Sequence, residues 1–204
     1  LIDCSTIDVD SARAVATQAK AAGFRFADAP VSGGTAAADA GTLAFMVGCD
    51  EPHFADVEEA LKPMARVVIR AGDHGAGQAA KICNNMLLGA SMIATCETFA
   101  MAEKLGLDLQ TFYDISSKAS GQNWSMTSYC PVPGVGPTTP ADNDYQGGFA
   151  TALMLKDLKL AMEAASLAGA DVPMGVRAAE LYAQFDEAGN GGLDFSAIIQ
   201  TLKD

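Results

Sequence analysis

Lys81, Asn84, Asn85 and Leu88 recur at i, i+3, i+4 and i+7, so any helix that carries them presents them on one face. The surrounding stretch is rich in Ala, Met and Leu, where a lysine and two carboxamides are costly to bury. Such a face either opens to solvent or serves chemistry. In the second case an apolar wall desolvates the lysine and lowers its pKa, which suits general acid–base work near neutral pH. Ser32-Gly33-Gly34-Thr35 is the next candidate: an ordinary turn, or a place where backbone amides and hydroxyls converge on an anion. Lys156-Asp157 opens Lys-Asp-Leu-Lys-Leu-Ala, which reads as a solvated charged face or as a polar pair at a site. Trp124 is the single tryptophan and sits in a polar run, where its ring reads first as a core residue.

Gly75-Ala-Gly77-Gln-Ala-Ala80 has the form G-x-G-x-x-A, yet it is a poor nucleotide fingerprint. That fingerprint needs a second parallel strand ending in an acidic residue about 20 residues on. Here the following residues read as one helix, and Glu97 lies inside it. These glycines are expected to let the chain turn tightly into that helix.

The elements that would position these residues alternate at first. Residues 1–4 read as a strand, Asp8 to Ala22 as a helix ended by Gly23, and 24–30 as a strand stopped by Pro30. After the turn at 32–35 come a strand at 42–47, a helix at 51–61 and a strand at 66–70. This is an α/β layer. From residue 78 to 105 there is no proline, and the apolar residues run almost all round, which predicts one long helix buried in a larger assembly. Helices follow at 108–118, 150–169, 173–188 and 194–203, with a Pro/Gly-rich loop at 130–140. The fold class is therefore α/β followed by all-α. Residues 1–75 read as the C-terminal part of a Rossmann-type domain, and 76–204 as a helical domain built on the long helix.

The 204 residues carry a net charge of -12, which argues against nucleic acid or an anionic membrane surface as partner. No run of about 20 apolar residues predicts a membrane span. Cys4, Cys49, Cys83, Cys96 and Cys130 include no C-x-x-C pair and are odd in number, so buried or half-buried free thiols in a reducing, intracellular compartment are expected, with no disulfide framework or zinc site. His53 and His74 have no partner at ligand spacing and are expected at the surface or in turns. Leu1-Ile-Asp-Cys-Ser-Thr6 reads as the end of a buried strand without its upstream context, so a fragment is expected.

Taken in order, several stretches resemble the 3-hydroxyisobutyrate dehydrogenase branch of the β-hydroxyacid dehydrogenases, in the 6-phosphogluconate dehydrogenase-like superfamily. They are Leu1–Asp8, Asp28-Ala-Pro-Val-Ser-Gly-Gly34, Gly41–Gly48, Gly77-Gln-Ala-Ala-Lys-Ile-Cys-Asn-Asn-Met86, Tyr129-Cys-Pro-Val-Pro-Gly134, Asn143-Asp-Tyr-Gln-Gly-Gly-Phe149 and Lys156-Asp-Leu158. The resemblance spans essentially the whole chain. It departs in one respect: the family's N-terminal G-x-G-x-x-G unit, which binds the pyrophosphate and selects NAD or NADP, has no counterpart here.

The resemblance implies Lys81 as catalytic acid/base, Ser32, Gly33 and Gly34 as the carboxylate cradle, and Asn85 as the residue that orients lysine or substrate. It implies Thr6 and Lys156 at the nicotinamide end of NAD, and Trp124, Tyr129 and Asp157 along the substrate pocket. No metal is implied. The implied reaction is NAD-dependent oxidation of 3-hydroxyisobutyrate to methylmalonate semialdehyde in valine catabolism. The implied setting is cytoplasmic, or mitochondrial in a eukaryote, and the implied assembly a dimer or tetramer. A sister enzyme acting on serine or tartronate semialdehyde, and a non-catalytic helical assembly fragment, are the competing readings.

Overall fold

The computed structural model describes residues 1–202. Two compact units emerge, one comprising Leu1–Asn84 with Ser166–Ala168, the other Asn85–Ala165 with the chain from Gly169 onward.

The first unit is built on a five-stranded sheet. Its elements are β1 (Ile2–Asp3), α1 (Val9–Ala21), β2 (Ala27–Asp28), β3 (Val31–Ser32), α2 (Gly34–Asp39), β4 (Leu43–Gly48), α3 (Phe54–Leu61) and β5 (Ala65–Gly72). β1 runs parallel to β2 and β5 parallel to β4, while β2 and β3 both pair antiparallel with β4. The strand expected over 24–30 is shorter than its pattern, and Phe24 is exposed. Pro30, which has no N–H to give the ladder, separates β2 from β3, although its carbonyl still accepts from Met46 N–H at 3.0 Å. α1 starts where Asp8 accepts from the Ser11 N–H at 2.7 Å, a side-chain N-cap that also holds the Asp8 carboxyl below the usual carboxylate range. Ala27, Leu43, Phe45, Val47 and Leu61 form the main apolar cluster, joined by Phe54 and Val57 of α3. Ala16 and Ala19 of α1 pack on Phe26.

α4 (Ala76–Lys104) is the long helix, and it contributes to both units. The second unit adds α5 (Leu109–Ser116), α6 (Trp124–Thr127), α7 (Thr151–Ala168) and α8 (Pro173–Phe185), and ends in a 3-10 helix over Phe195–Leu202. Its core gathers Met92, Cys96 and Phe99 of α4, Met154 and Leu158 of α7, Tyr182 of α8, and Phe195 and Ile199. Phe99 meets Phe112 edge-on at 5.0 Å. The Pro/Gly loop is anchored rather than loose: Thr139 and Asp142 form a reciprocal capping box over Pro140–Asn143, and Asp142 also accepts from Gly134 N–H at 2.6 Å.

Several expectations are corrected here. The turn read at 32–35 runs into a helix, α2, that was not expected, and neither was α6. In the single chain, Leu87 and Met101 of α4 are exposed. Of the five thiols, Cys4 and Cys83 are exposed rather than buried or half-buried. Among the described residues no helix is long and apolar enough to cross a membrane.

Candidate active site

In the first unit, Lys81 projects from the second turn of α4 and is 7% exposed. Its Nζ donates to the Val31 carbonyl at 2.8 Å, which sets the ammonium group at the residue preceding Ser32. Ser32 closes β3, and Gly33 and Gly34 lead into α2 with their backbone exposed. Lysine and the serine–glycine–glycine segment, far apart in sequence, are thus neighbours.

What holds Lys81 there is a residue outside the predicted set. Asp28 is fully buried, and its carboxylate accepts from Gly75 N–H at 2.7 Å and Gln78 N–H at 3.1 Å. These amides belong to the start of α4, where the N–H groups have no partner within the helix. A carboxylate on β2 therefore caps α4 across the sheet and offsets its dipole. The same contacts show what the Gly75–Gly77 pattern does. A Cβ at Gly77 would collide with the Met46 and Asp28 carbonyl oxygens, so glycine is needed for the helix to sit on the strands. With the Gly75 amide already given to Asp28, the turn does not fit a pyrophosphate.

Gln78 is also fully buried, and its carboxamide is used at both ends. Oε1 accepts from Ile7 N–H at 3.2 Å, and Nε2 donates to the Ser5 carbonyl at 2.7 Å. These two bonds flank Thr6, itself half-buried, and fix the loop that presents it. The loop carrying Thr6 is thereby tied to the start of α4 on both sides of that residue. Asp28 and Gln78 were missed because each reads locally as ordinary, one ending a strand and the other opening a helix. Their full burial is the sign of a role, and burial is not visible in the sequence.

In the second unit, Asn85 is 1% exposed, and its Nδ2 donates to Asp157 Oδ2 at 2.5 Å. Asp157 faces inward from α7, whereas its neighbour Lys156 is exposed. Lys156 lines a cavity of about 350 Å³ with Lys159, Glu163 and Asp186. Trp124 is not core. It is half exposed and stacks on Tyr129, ring centroids 4.8 Å apart and planes 20° apart. Tyr129 donates its hydroxyl to Asp194 Oδ2 at 2.8 Å, and burial together with that carboxylate pushes the phenol far above its ordinary value. In the first unit, His53 and His74 flank Asp50 at 3.8 and 3.6 Å.

A partial mixed sheet with a capped lysine helix is followed by an all-helical unit, and the comparisons place this architecture among the nicotinamide-dinucleotide-dependent dehydrogenases. Residues 1–72 match the family model described as the NAD binding domain of 6-phosphogluconate dehydrogenase. Residues 75–202 match the one described as NAD-binding of NADP-dependent 3-hydroxyisobutyrate dehydrogenase. A 3-hydroxyisobutyrate dehydrogenase of Pseudomonas aeruginosa is 50% identical over 97% of this chain and 67% of its own length. An NAD-dependent L-serine dehydrogenase of the same organism is 44% identical over all of this chain and 68% of its own length. The solved Mycobacterium tuberculosis 3-hydroxyisobutyrate dehydrogenase with L-serine superposes with a TM-score of 0.95 at 51% identity, over 100% of this chain and 69% of that one. The chain belongs to the 3-hydroxyisobutyrate dehydrogenase family, within the 6-phosphogluconate dehydrogenase-like group.

Proposed function

We propose that this chain carries the catalytic lysine and the substrate pocket of an enzyme that oxidises 3-hydroxyisobutyrate to methylmalonate semialdehyde, a step of valine catabolism. The observation that carries the reading is Lys81: nearly buried, yet with its Nζ 2.8 Å from the carbonyl that precedes Ser32-Gly33-Gly34. Ser32, Gly33 and Gly34 hold the substrate carboxylate, and Lys81, as the neutral amine, takes the proton from the primary hydroxyl. Asn85, one helical turn further along α4, orients the lysine or the substrate, and Asp157 holds the Asn85 carboxamide. Trp124 and Tyr129 line the pocket. Thr6 and Lys156 meet the nicotinamide end of the cofactor, which when bound accepts a hydride from the carbon that bears the hydroxyl.

Residues 1–75 are taken as the C-terminal part of the Rossmann-type domain and 76–204 as the helical domain, a division supported by the two family matches. Exposed Leu87, Met101 and Leu105 on and just beyond α4 support a dimer or tetramer. Five free thiols suit an intracellular setting.

Lys81→Ala tests the central role. It lowers kcat by about 10²–10⁴-fold, the usual worth of general acid–base catalysis. Lys81→Arg does not restore it, because a guanidinium holds its proton. Near-normal turnover by either variant removes Lys81 from the role. L-serine is a second reading, supported by the relative named an L-serine dehydrogenase and the related structure with L-serine. Comparing kcat/KM for 3-hydroxyisobutyrate, L-serine and tartronate semialdehyde decides between them.

A further inference from the structure

Asp194 lies outside every motif considered so far, and it is fully buried. Its Oδ2 accepts from the Tyr129 hydroxyl and from Phe149 N–H, each at 2.8 Å. Its Oδ1 accepts from Ser196 N–H at 3.0 Å and Ser196 Oγ at 2.6 Å. All four donors are neutral groups, so desolvating the carboxyl is offset by hydrogen bonds rather than by a cation.

The surroundings are shaped to keep this arrangement. Gly148 has φ +67°, and a Cβ there would collide with both Asp194 Oδ2 and Tyr129 Oη. Tyr145-Gln-Gly-Gly-Phe149 thus has a mechanical explanation: glycine admits the carboxylate, and the next residue supplies an amide to it. The backbone closes the same knot, with Asp194 N–H donating to the Tyr145 carbonyl and Phe195 N–H to the Phe149 carbonyl, both at 2.8 Å. Tyr129 is then sandwiched, with Phe195 at 5.5 Å and Trp124 at 4.8 Å. Trp124 itself sits on a four-residue helix with half its surface open, so the stack on Tyr129 is a principal restraint on its ring.

We propose that Asp194 is a positioning residue: by anchoring the Tyr129 hydroxyl it sets the Tyr129–Trp124 aromatic wall, and through that wall it governs how tightly the β-hydroxy acid fits. The inference rests on the reading of Trp124 and Tyr129 as pocket residues. Asp194 touches no reacting atom in this scheme, so it acts on substrate fit and not on proton transfer.

The test uses Tyr129→Phe, Asp194→Asn and the double variant, with two readouts. The first is the fluorescence of Trp124, the single tryptophan of the sequence, recorded without substrate. Tyr129→Phe keeps the ring but removes its anchor, so acrylamide quenching rises and anisotropy falls, as they do in Asp194→Asn. The second readout is steady-state turnover. Each single variant raises KM about tenfold, the worth of one charge-assisted hydrogen bond. kcat stays within about threefold, as expected when only binding is lost. The double variant is no worse than the worse single, because the Tyr129–Asp194 bond that Tyr129→Phe removes is already lost in Asp194→Asn. Unchanged fluorescence and KM in Tyr129→Phe overturn the proposal, and so do KM effects that multiply in the double variant. If Asp194→Asn does not fold, Tyr129→Phe alone decides. Failure of the wild type to turn over any β-hydroxy acid would sink the functional reading, while the fluorescence would still judge the anchor.

Discussion

Asparagine at position 28 would change one atom of a buried side chain and leave its volume alone, so no cavity term enters. Asp28 Oδ1 accepts from Gly75 N–H at 2.7 Å and Oδ2 from Gln78 N–H at 3.1 Å. A carboxamide has one acceptor oxygen, so whichever way it turns, an N–H faces an N–H. One charge-assisted hydrogen bond is worth about 1.5–3 kcal/mol, and the amide left without an acceptor adds about 1–3 kcal/mol. Loss of the negative charge at the start of α4 adds roughly 0.3–2 kcal/mol. These contributions overlap, and a total near 3–5 kcal/mol is expected. Hydrogen exchange followed by mass spectrometry on the peptide covering residues 72–82 reads the effect locally. Protection at Gly75 and Gln78 in Asp28→Asn should fall by about 10²–10³-fold, at about 1.4 kcal/mol per tenfold. Urea unfolding should show an earlier loss of helical signal. In turnover assays kcat should drop as well, because the same turns of α4 carry Lys81. A stability loss under about 1 kcal/mol with both amides still protected would refute the reasoning, since the carboxylate would then not be what holds the helix.

Other outcomes can be checked alongside. Gly148→Ala places a Cβ against Asp194 and Tyr129 at a left-handed φ, so it should cost about 2 kcal/mol or more and lower Tm by roughly 4–8 °C in a thermal scan. Gln78→Ala removes both bonds that fix the Thr6 loop, so exchange at the Ile7 amide should speed up about tenfold, and KM for NAD should rise more than kcat falls. Burial pushes the Cys130 thiol up to about 11 and the Tyr145 phenol up to about 12. Both groups hold their protons more firmly when folded. The stability they contribute is therefore whole below the unfolded thiol value near 9 and is lost as pH rises through 11 and 12. Denaturation midpoints measured from pH 8 to 11.5 should fall across this window, and less steeply in Cys130→Ala. An unchanged profile in that variant would assign the decline to other groups.

The elements were largely legible because their signals are local. Asp8 and Asp108 cap α1 and α5 by accepting amides three residues on, and such caps can be read directly. The long apolar run without proline marks α4, and the spacing of Lys81 and Asn85 puts them on one face of it. The failures are also local in origin. α6 is four residues long, too short for any periodicity, and α2 begins with glycines that read as a turn. The pattern over 24–30 fits a strand, but pairing reaches only Ala27–Asp28 on the near side of Pro30.

Sequence alone determined which residue types were available for chemistry, which element carried the lysine, and that the G-x-G pattern lacked the context of a nucleotide site. Tertiary structure decided which of the ordinary-looking polar residues matter. Asp28, Gln78 and Asp194 are unremarkable by type and spacing, yet all three are fully buried, with partners up to 73 residues away in the chain. It also moved Trp124 from an expected core place to a half-exposed stack on Tyr129. The reason is physical: a buried polar group must find its hydrogen-bond partners wherever the fold brings them, and sequence distance places no limit on that search.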